Sequence, residues 1–296
     1  MILLCYGTRP EWIKIKPLIS AFKDKIPFKV LFTGQHEHIG NFYRDYSLKI
    51  NNKGNRLDSI LTSVLTADQE IFNGVEYVLV QGDTASTYAV ALAAFNRGLK
   101  VIHLEAGLRT HDLQNPYPEE AYRQMISRIS SINLCATNQN KQNLIDEKCI
   151  GDNYVVGNTV LDNLVDVETS YGDEVVVTMH RRENHSIMHD WFKQINDLAI
   201  ENNNLKFIIP LHPNPNVQKH KSILTNVNVI DPLPYDDMID KISKCRFLIS
   251  DSGGIQEESS FLNKKVIVCR KWTERTESIG VHSIMCESPD KLKKVF

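Results

Sequence analysis

Short apolar runs alternate with helical segments along this sequence, and each run ends at a polar or glycine-containing turn. In the first half, the run Tyr77–Gln81 passes through Gly82-Asp83-Thr84 into an alanine-rich helix predicted over Ala85–Asn96, and similar runs occupy Ile2–Tyr6 and 101–104. Strands that are separated by helices run parallel, because each helix carries the chain back across the sheet. The first half therefore predicts a doubly wound parallel sheet.

The same alternation resumes after a linker-like segment at 170–173. The predicted strands of the second half are 174–179, Lys206–Pro210, 227–230, Phe247–Ser250 and 266–269, and they are separated by helices such as Met188–Glu201 and Tyr235–Lys244. Helical structure is also expected within 41–65 and over 159–167. The chain of 296 residues is long enough for two cores. We therefore predict an α/β fold of two doubly wound, Rossmann-like parallel-sheet domains, 1–158 and 159–296, that face each other across a cleft.

Composition and charge exclude several classes of protein. The chain has 34 Lys and Arg against 36 Asp and Glu, so its net charge of -2 gives no reason to expect nucleic acid or an anionic membrane as a partner. The six cysteines form no CxxC motif, which is typical of reduced cysteines in a cytosolic protein. The first apolar run is too short for a signal peptide, and no run approaches membrane length. We expect a cytoplasmic protein.

The octet at 251–258, DSGGIQEE, follows the apolar run Phe247–Ser250 and indicates a strand, a sharp turn and the start of a helix. The adjacent Gly253 and Gly254 allow the backbone to approach a ligand closely, and N–H groups at a helix start bind anions. Glu258 lies one turn inside that helix, where its carboxylate repels phosphate but accepts hydrogen bonds from sugar hydroxyls. The octet therefore indicates a nucleotide site, and the alternative is an ordinary turn with a glycine cap.

Charged residues follow the predicted strands of the first half as well. Arg9 lies in a strand-to-helix turn that suits an anion, and Asp83, Glu105 and Glu119 come after later strands. Carboxylates that converge at the ends of parallel strands suit abstraction and return of a proton. Alternatively, Asp83 only caps the helix that follows it and Glu119 only adds a favourable first-turn charge. A metal site is a further alternative. It is disfavoured because His103 is expected on a different face of its strand from Glu105.

Two histidines follow strands of the second half. His180 comes after 174–179 and precedes Arg181, and His212 follows the next strand. A cationic His180 would help a diphosphate to depart by neutralising its developing charge, whereas a neutral one could accept a proton. The alternative for either histidine is a hydrogen bond within its own turn. Arg275, after the last predicted strand, is expected either to close over a phosphate or to pair with a neighbouring glutamate.

Nine motifs resemble, in order and spacing, those of one family, the non-hydrolysing UDP-N-acetylglucosamine 2-epimerases. They are GTRPE at 7–11, QGDT at 81–84, LEAGLRT at 104–110, PEEAYR at 118–123, GNTV at 157–160, HRREN at 180–184, HPNP at 212–215, DSGGIQEE at 251–258 and TER at 273–275. No single motif is decisive, but the ordered set is specific. The resemblance implies a two-domain fold like that of GT-B glycosyltransferases, with UDP held mostly by the second domain and the sugar facing the first.

The resemblance also implies a reaction, the reversible epimerisation at C2 of UDP-N-acetylglucosamine to UDP-N-acetylmannosamine. UDP would leave as the C2 proton is lost, giving a 2-acetamidoglucal intermediate, and would re-add while C2 is reprotonated from the other face. No metal, nicotinamide or other cofactor is implied, and the product would feed polysaccharide synthesis. The alternatives are a hydrolysing epimerase that releases UDP and free N-acetylmannosamine, a UDP-sugar-binding protein without turnover, and a GT-B glycosyltransferase.

Site residues follow from the resemblance by position. It implies acid/base roles for Asp83, Glu105 and Glu119, and a role for His180 at the diphosphate. The residues implied to grip phosphate or orient the carboxylates are Arg9, Lys14, Arg123 and Arg275, while Ser252, Gly253 and Gly254 would bind the phosphates and Glu258 the uridine ribose. A second UDP-sugar, which activates several family members, would contact Gln35, His38, Arg181 and His212.

The sequence also departs from the family pattern. His38 stands where a glutamine is usual, and Trp12 stands where the first helix usually has a small residue. The chain ends before the usual terminal helices, so the resemblance is to a C-terminally short member. We expect either looser closure of the two domains or compensation through dimerisation, and therefore a homodimer.

Overall fold

Each half of the chain forms one parallel sheet. The computed structural model of the protein describes residues 1–36, 40, 42–273 and 278–296. Contacts within the chain divide it into two units, Met1–Asp162 and Asn163–Phe296. The predicted fold class, with two parallel-sheet α/β domains, is confirmed.

The described residues of the first unit form seven strands and five α-helices. The strands are β1 Ile2–Tyr6, β2 Phe28–Phe32, β3 Tyr46–Ser47, β4 Tyr77–Gln81, β5 Lys100–Ala106, β6 Ile132–Cys135 and β7 Asp152–Val155. The helices are α1 Arg9–Phe22, α2 Arg56–Leu65, α3 Ala85–Asn96, α4 Glu119–Ile129 and α5 Asn138–Asp146. All neighbouring strands pair in parallel, in the order β3-β2-β1-β4-β5-β6-β7. Their carboxyl ends therefore lie along one edge of the sheet.

The second unit repeats this plan with six strands among its described residues. The strands are β8 Glu174–Thr178, β9 Lys206–Pro210, β10 Asn228–Ile230, β11 Phe247–Ser250, β12 Val266–Val268 and β13 Ser283–Met285. The helices are α6 Met188–Glu201, α7 Pro215–Gln218, α8 Tyr235–Lys244, α9 Gly253–Phe261 and α10 Leu292–Val295. The parallel order is β10-β9-β8-β11-β12-β13, so β8 and β11 are neighbours and their ends lie side by side.

Helices cover both faces of the first sheet. α3 is buried around most of its circumference, because small residues such as Ala89 and Val90 allow close packing. On the other face, α1 packs through Trp12 and Ile15. Trp12 is 8% exposed and stacks on Phe42 with ring centroids 5.0 Å apart. The first core therefore accommodates the large residue at this position.

The second core forms around α6. Trp191, Phe192 and Ile195 of this helix are fully buried, and Leu292 of α10 packs into the same cluster. Phe296 stacks on Phe207 of β9 with ring centroids 6.0 Å apart, which fastens α10 to the sheet. None of the helices in the described ranges is both long and apolar enough to cross a membrane.

Two short edge strands were not predicted. β3 replaces part of the helical structure expected within 41–65, and it pairs with Leu31 and Phe32 of β2. The Asp45 carboxylate accepts a hydrogen bond from the Val30 N–H at 2.8 Å, which aligns the chain at this edge. β13 pairs with β12 and forms one edge of the second sheet. Strands of two and three residues are too short to show an alternating pattern.

The prediction of a helix over 159–167 is also wrong. Only a 3₁₀ turn over Leu161–Leu164 forms there. The Thr159 hydroxyl donates a hydrogen bond to the carbonyl oxygen of Lys14 at 2.6 Å, and the Val160 N–H donates to the Asn158 side chain at 3.1 Å. Such side-chain hydrogen bonds compete with those of a regular helix.

Replacing Gly107 with alanine is expected to destabilise the first unit strongly. Gly107 has φ +83°, and an added Cβ would lie 2.1 Å from the carbonyl oxygen of Asn140. Gly54→Ala is the matched control, because Gly54 has φ +74° but no atom within 4 Å of the added Cβ. In urea unfolding we expect a loss of about 1 kcal/mol for Gly54→Ala and of more than about 3 kcal/mol for Gly107→Ala. Equal losses would contradict the close packing at Gly107.

Candidate active site

Buried Glu11 joins the two turns that follow β1 and β4. Its carboxylate accepts hydrogen bonds from the N–H groups of Gly7 at 2.5 Å and Thr8 at 3.0 Å. The hydroxyls of Thr84 and Thr87 donate to its other oxygen at 2.5 and 3.2 Å. Burial raises the pKa of Glu11, and these hydrogen bonds oppose that shift. One carboxylate thus fixes both turns, and with them the first residues of α1 and α3.

Asp83 does not cap α3, so that alternative is wrong. Thr84 is the N-cap residue, and its hydroxyl accepts a hydrogen bond from the Thr87 N–H at 3.2 Å. The Asp83 carboxylate pairs instead with the guanidinium of Arg123, at 2.6 Å. The Asp83 side chain is 25% exposed, so it is held by a cation and still reaches the surface.

Buried Glu120 holds both Arg123 and the loop before α4. It is fully buried and lies 3.0 Å from the Arg123 guanidinium. It also accepts hydrogen bonds from the N–H groups of Thr110 and His111, each at 3.1 Å. Burial acts to raise the pKa of Glu120, but its hydrogen-bond donors bring that pKa below the ordinary value. A chain of contacts therefore runs from Glu120 through Arg123 to Asp83.

A bulge in β5 sets the direction of the Glu105 carboxylate. The pairing of β5 with β6 shifts between Leu104 and Ala106, and Glu105 has φ +65°, in the left-handed region. Its carboxylate accepts hydrogen bonds from the Lys14 ammonium and the Gln81 side-chain amide. Such a conformation is uncommon for a non-glycine residue and is concentrated at functional sites, so Glu105 is a candidate for a functional role.

Glu119 begins α4, one turn before Arg123. Its Oε2 atom is buried and has no hydrogen-bond partner among the described residues. A buried acceptor without a donor costs about 1–3 kcal/mol, which a donor from a bound ligand would recover. Since β4 and β5 are neighbours and Arg123 of α4 contacts Asp83, the structure brings Asp83, Glu105 and the start of α4 to one edge of the first sheet.

His103 is fully buried close to these carboxylates. Its Nε2–H donates a hydrogen bond to the carbonyl oxygen of Gly82 at 2.8 Å. Burial lowers its pKa to about 4, while the Gly82 contact and the charges of Asp83 and Glu105 oppose the shift. The imidazole is therefore neutral at pH 7. In the described part of the chain, no group of three His, Cys, Asp or Glu side chains is arranged to hold a metal ion.

In the second unit, buried Asp251 holds a turn through backbone N–H groups, as Glu11 does in the first. It follows β11 and is fully buried. Its carboxylate accepts hydrogen bonds from the N–H groups of His180, at 3.0 and 3.1 Å, and Arg181, at 3.0 Å. The Asn184 side-chain amide donates to it at 3.0 Å. All three donors belong to the turn after β8, so Asp251 ties that turn to the end of β11.

The imidazoles of His180 and His212 stack, with ring centroids 5.3 Å apart. Burial lowers the pKa of His180, the Asp251 carboxylate opposes the shift, and the charges of Arg181 and His185 reinforce it. Burial also lowers the pKa of His212, and His180 adds to the effect. Both imidazoles are therefore neutral at pH 7, and an anion beside them would raise both pKa values.

The first turn of α9 carries the predicted phosphate-binding residues. Ser252 is its N-cap, and the Ser252 hydroxyl accepts a hydrogen bond from the Ile255 N–H at 3.4 Å. Gly253 and Gly254 begin the helix, where backbone N–H groups have no intrahelical partner and the helix dipole is positive. Glu258, one turn further, is 7% exposed. Burial, together with the Glu258 carboxylate, raises the pKa of the Tyr235 phenol on α8.

The residues expected to contact a second UDP-sugar belong to both units. Gln35 belongs to the first unit, where its side-chain oxygen accepts a hydrogen bond from the Ser86 N–H at 3.0 Å in the first turn of α3. Arg181 and His212 belong to the second unit, beside His180. His38 lies outside the described residues.

Two residues expected at phosphate groups complete the predicted set. Arg9 is the first residue of α1 and is exposed, and its N–H donates a hydrogen bond to the His36 imidazole at 3.5 Å. Arg275 lies outside the described residues.

Five residues that hold the site together were not predicted from the sequence. They are Glu11, Gln81, Glu120, Asn184 and Asp251. The spacing of Thr8 and Glu11 is that of a capping box, which the structure contains, so this pair had a recognisable local signal. By contrast, the contacts through which Gln81, Asn184 and Asp251 hold the site join distant parts of the chain. No local sequence pattern therefore indicates them.

Comparison with known proteins identifies the family. A family profile described as UDP-N-acetylglucosamine 2-epimerase matches residues 21–294, which is most of the chain. The chain belongs to the UDP-N-acetylglucosamine 2-epimerase family. The UDP-N-acetylglucosamine 2-epimerase of Salmonella borreze is 36% identical over 97% of this chain and 86% of its own length. The enzyme of the same name from Campylobacter jejuni is 37% identical, over 94% and 83%.

A solved structure of this family supports the same assignment. The crystal structure of UDP-GlcNAc 2-epimerase from Neisseria meningitidis bound to UDP-GlcNAc is 35% identical and covers 94% of this chain and 84% of that chain, with a TM-score of 0.83. The resemblance read from the nine motifs is therefore confirmed, and so is the expected enzyme class, an epimerase that acts on a nucleotide sugar.

Replacing His103 with glutamine is expected to make the stability of this epimerase less sensitive to acid. In the unfolded chain His103 has a pKa near its ordinary value of 6.5, whereas burial lowers its pKa in the folded chain to about 4. The native state therefore loses stability as the pH falls from 6.5 to about 4, by roughly 3 kcal/mol from this residue. Urea unfolding between these pH values should show a smaller loss in His103→Gln. The exposed His189→Gln serves as control, and equal losses in both variants and the parent protein would contradict the effect.

Proposed function

We propose that the chain interconverts UDP-N-acetylglucosamine and UDP-N-acetylmannosamine by inverting C2, without net hydrolysis. The relatives described above are UDP-N-acetylglucosamine 2-epimerases, and one of them was solved with UDP-GlcNAc bound. One observation carries the proposal. Asp83 and Glu105, at the ends of neighbouring strands, are each held by a cation, while Glu119 nearby has a buried oxygen without a donor among the described residues.

The C2 proton of the substrate is weakly acidic, because no carbonyl group flanks C2. UDP therefore has to depart from C1 as the C2 proton is removed. A carboxylate takes the proton, the C–H electron pair forms the C1–C2 double bond, and the C1–O pair leaves with the diphosphate. The products of this step are 2-acetamidoglucal and UDP. Return of UDP to C1, with protonation of C2 on the opposite face, gives the epimer, and the sequence balances without oxidant or reductant.

In this proposal the first unit supplies the proton transfers. Inversion needs one group on each face of C2, and Asp83, Glu105 and Glu119 are the candidates. The guanidinium of Arg123 and the ammonium of Lys14 fix the directions of the first two carboxylates. The Oε2 atom of Glu119, which lacks a hydrogen-bond partner in the described part of the chain, favours a hydrogen bond from a substrate donor.

The second unit, in this proposal, holds UDP. Ser252, Gly253 and Gly254 bind the diphosphate at the N-terminus of α9, and Glu258 accepts a hydrogen bond from the ribose. His180 is neutral before the diphosphate approaches and becomes more basic beside it, so it stabilises charge as the C1–O bond breaks. Arg275 adds positive charge, and Arg9 of the first unit is assigned to the phosphate groups as well. Firm retention of UDP lets it return to C1 instead of diffusing away.

The remaining expectations form part of the same proposal. The reaction would supply a precursor for polysaccharide synthesis in the cytoplasm, in a homodimer whose first domain handles the sugar. A second UDP-sugar beside Gln35, His38, Arg181 and His212 would act as an activator. This role is compatible with the stacking of His212 on His180, because an anion near one imidazole affects the other.

Incubation with UDP-N-acetylglucosamine in deuterated water tests the reaction. We expect UDP-N-acetylmannosamine at a fixed equilibrium ratio, with deuterium at C2 of both UDP-sugars, followed by proton and phosphorus NMR. Free N-acetylmannosamine accumulating in step with UDP would show the hydrolysing reaction instead. A lack of deuterium at C2 despite binding of UDP would show a protein that binds without turnover.

Asp83→Asn is expected to lower turnover by at least about a hundredfold, because the amide cannot take up a proton. The affinity for UDP, measured by calorimetry, should change less than about threefold, since UDP is assigned to the other unit. Asp146→Asn, an exposed position on α5, is the matched control and should retain turnover. A large loss of UDP affinity in Asp83→Asn with unchanged turnover would refute the role in proton transfer.

A further inference from the structure

The carboxylate of Asp251 faces both the backbone and the ring of His180. We propose that Asp251 is a positioning residue, which sets the place and the tautomer of the His180 imidazole so that Nδ1 carries a proton and Nε2 is left for the diphosphate. The inference rests on the role proposed above for His180. It adds a residue to that role, because the motif that contains Asp251 was assigned to phosphate binding through its serine and glycines alone.

The backbone contacts establish how firmly the turn is held. Asp251 is fully buried, and its own N–H donates a hydrogen bond to the carbonyl oxygen of Thr178 at 3.1 Å, so the residue extends the pairing of β11 with β8. Its carboxylate then accepts from two consecutive N–H groups, those of His180 and Arg181. Two consecutive amides bound to one rigid acceptor leave the His180 Cα little freedom to move.

The ring contact favours one tautomer. Nδ1 of His180 lies 3.8 Å from Oδ1 of Asp251. This distance exceeds that of a hydrogen bond, and catalytic hydrogen bonds are often long in a protein without its substrate. The Asp251 carboxylate is fully buried, and a carboxylate at this range favours a proton on the nearer nitrogen. The other nitrogen, Nε2, then remains available to accept a proton or, once protonated, to donate to a diphosphate oxygen.

Other charged groups around the ring act against a positive imidazole. Arg181 and His185 lie in the same turn, and His212 stacks on the ring from the end of β9. Arg181 and His185 disfavour protonation of His180, as does burial, whereas Asp251 favours it. Removing the charge of Asp251 should therefore make His180 harder to protonate when the diphosphate approaches.

A purely structural role for Asp251 predicts something different. If Asp251 only holds the turn, any substitution that loosens the turn should affect His180 in the same way as Asp251→Asn, whether or not it alters charge. Asn184 provides the comparison, because its side-chain amide donates to the same carboxylate and to the carbonyl oxygen of Cys269, both at 3.0 Å. Asn184→Ala loosens the turn and keeps the carboxylate, whereas Asp251→Asn keeps the size of the side chain and removes its charge.

The tautomer is measured first, on the parent protein. With nitrogen-15-labelled histidine and His180→Asn to assign the signal, NMR at neutral pH should show the Nδ1–H tautomer for His180. A dominant Nε2–H tautomer would overturn the inference. This measurement needs no Asp251 variant, so it decides the question even if Asp251→Asn fails to fold.

The variants are compared next. In Asp251→Asn we expect the pKa of His180 to fall by about one further unit and kcat to fall about tenfold or more, with KM for UDP-N-acetylglucosamine changing less than about threefold. Asn184→Ala should lower the melting temperature and leave the pKa of His180 in place. In a double variant, Asp251→Asn should add little to the loss caused by His180→Asn.

The outcomes separate this inference from the proposed function. If Asp251→Asn leaves the pKa of His180 unchanged, or Asn184→Ala moves it equally, the role of Asp251 is refuted although the function stands. If His180→Asn retains full turnover, the proposed role of His180 fails, and with it the reason for positioning that ring.

Discussion

Two buried carboxylates determine the shape of the polar turns in this protein. Glu11 in the first unit and Asp251 in the second each accept hydrogen bonds from consecutive N–H groups of a turn that follows a strand. A buried charge is tolerated only when it is surrounded by donors. If either turn rearranged, its buried carboxylate would therefore lose its hydrogen-bond donors. The proposed reactive residues, among them Asp83 and His180, are neighbours of these two anchors and take their positions from them.

The two units handle charge in opposite ways. In the first, Asp83 and Glu105 are paired with Arg123 and Lys14, so the negative groups proposed for proton transfer are locally neutralised. In the second, the neutral imidazoles of His180 and His212 and the N-terminus of α9 form the place proposed for an anion, which would gain hydrogen bonds there and raise the basicity of its neighbours. Local compensation of this kind agrees with a net charge of only -2. Recognition of a diphosphate needs no positive surface when the donors are arranged within the site.

Several regular elements have the bounds that the sequence predicted, whereas two short edge strands were missed. The bounds of β4, β9, α3, α6 and α8 agree with those expected, because apolar periodicity and end signals coincide there. β3 and β13 contain two and three residues and exist only through pairing with a neighbouring edge. Their formation depends on contacts that no local pattern records.

The candidate site shows the same limit. Residue types at strand ends were predictable, since ligands bind at the carboxyl ends of parallel strands. Their partners were not, because His180 and Asp251 are 71 residues apart in the chain and meet only in the folded sheet. The expectation that Asp83 caps α3 failed for a similar reason. Thr84 satisfies the helix end equally well, and Arg123, from another helix, decides the direction of the Asp83 carboxylate.

The bulge in β5 makes the length of that strand as important as its composition. Because side chains alternate along a strand, the direction of Glu105 depends on the extra residue that interrupts the pairing between Leu104 and Ala106. Deleting one residue would restore a regular strand and turn the carboxylate toward the other face. Insertions and deletions in this stretch should therefore be rarer among active epimerases than substitutions of its apolar residues. A gap-free alignment across β5 would then be a simple criterion for recognising catalytically competent relatives.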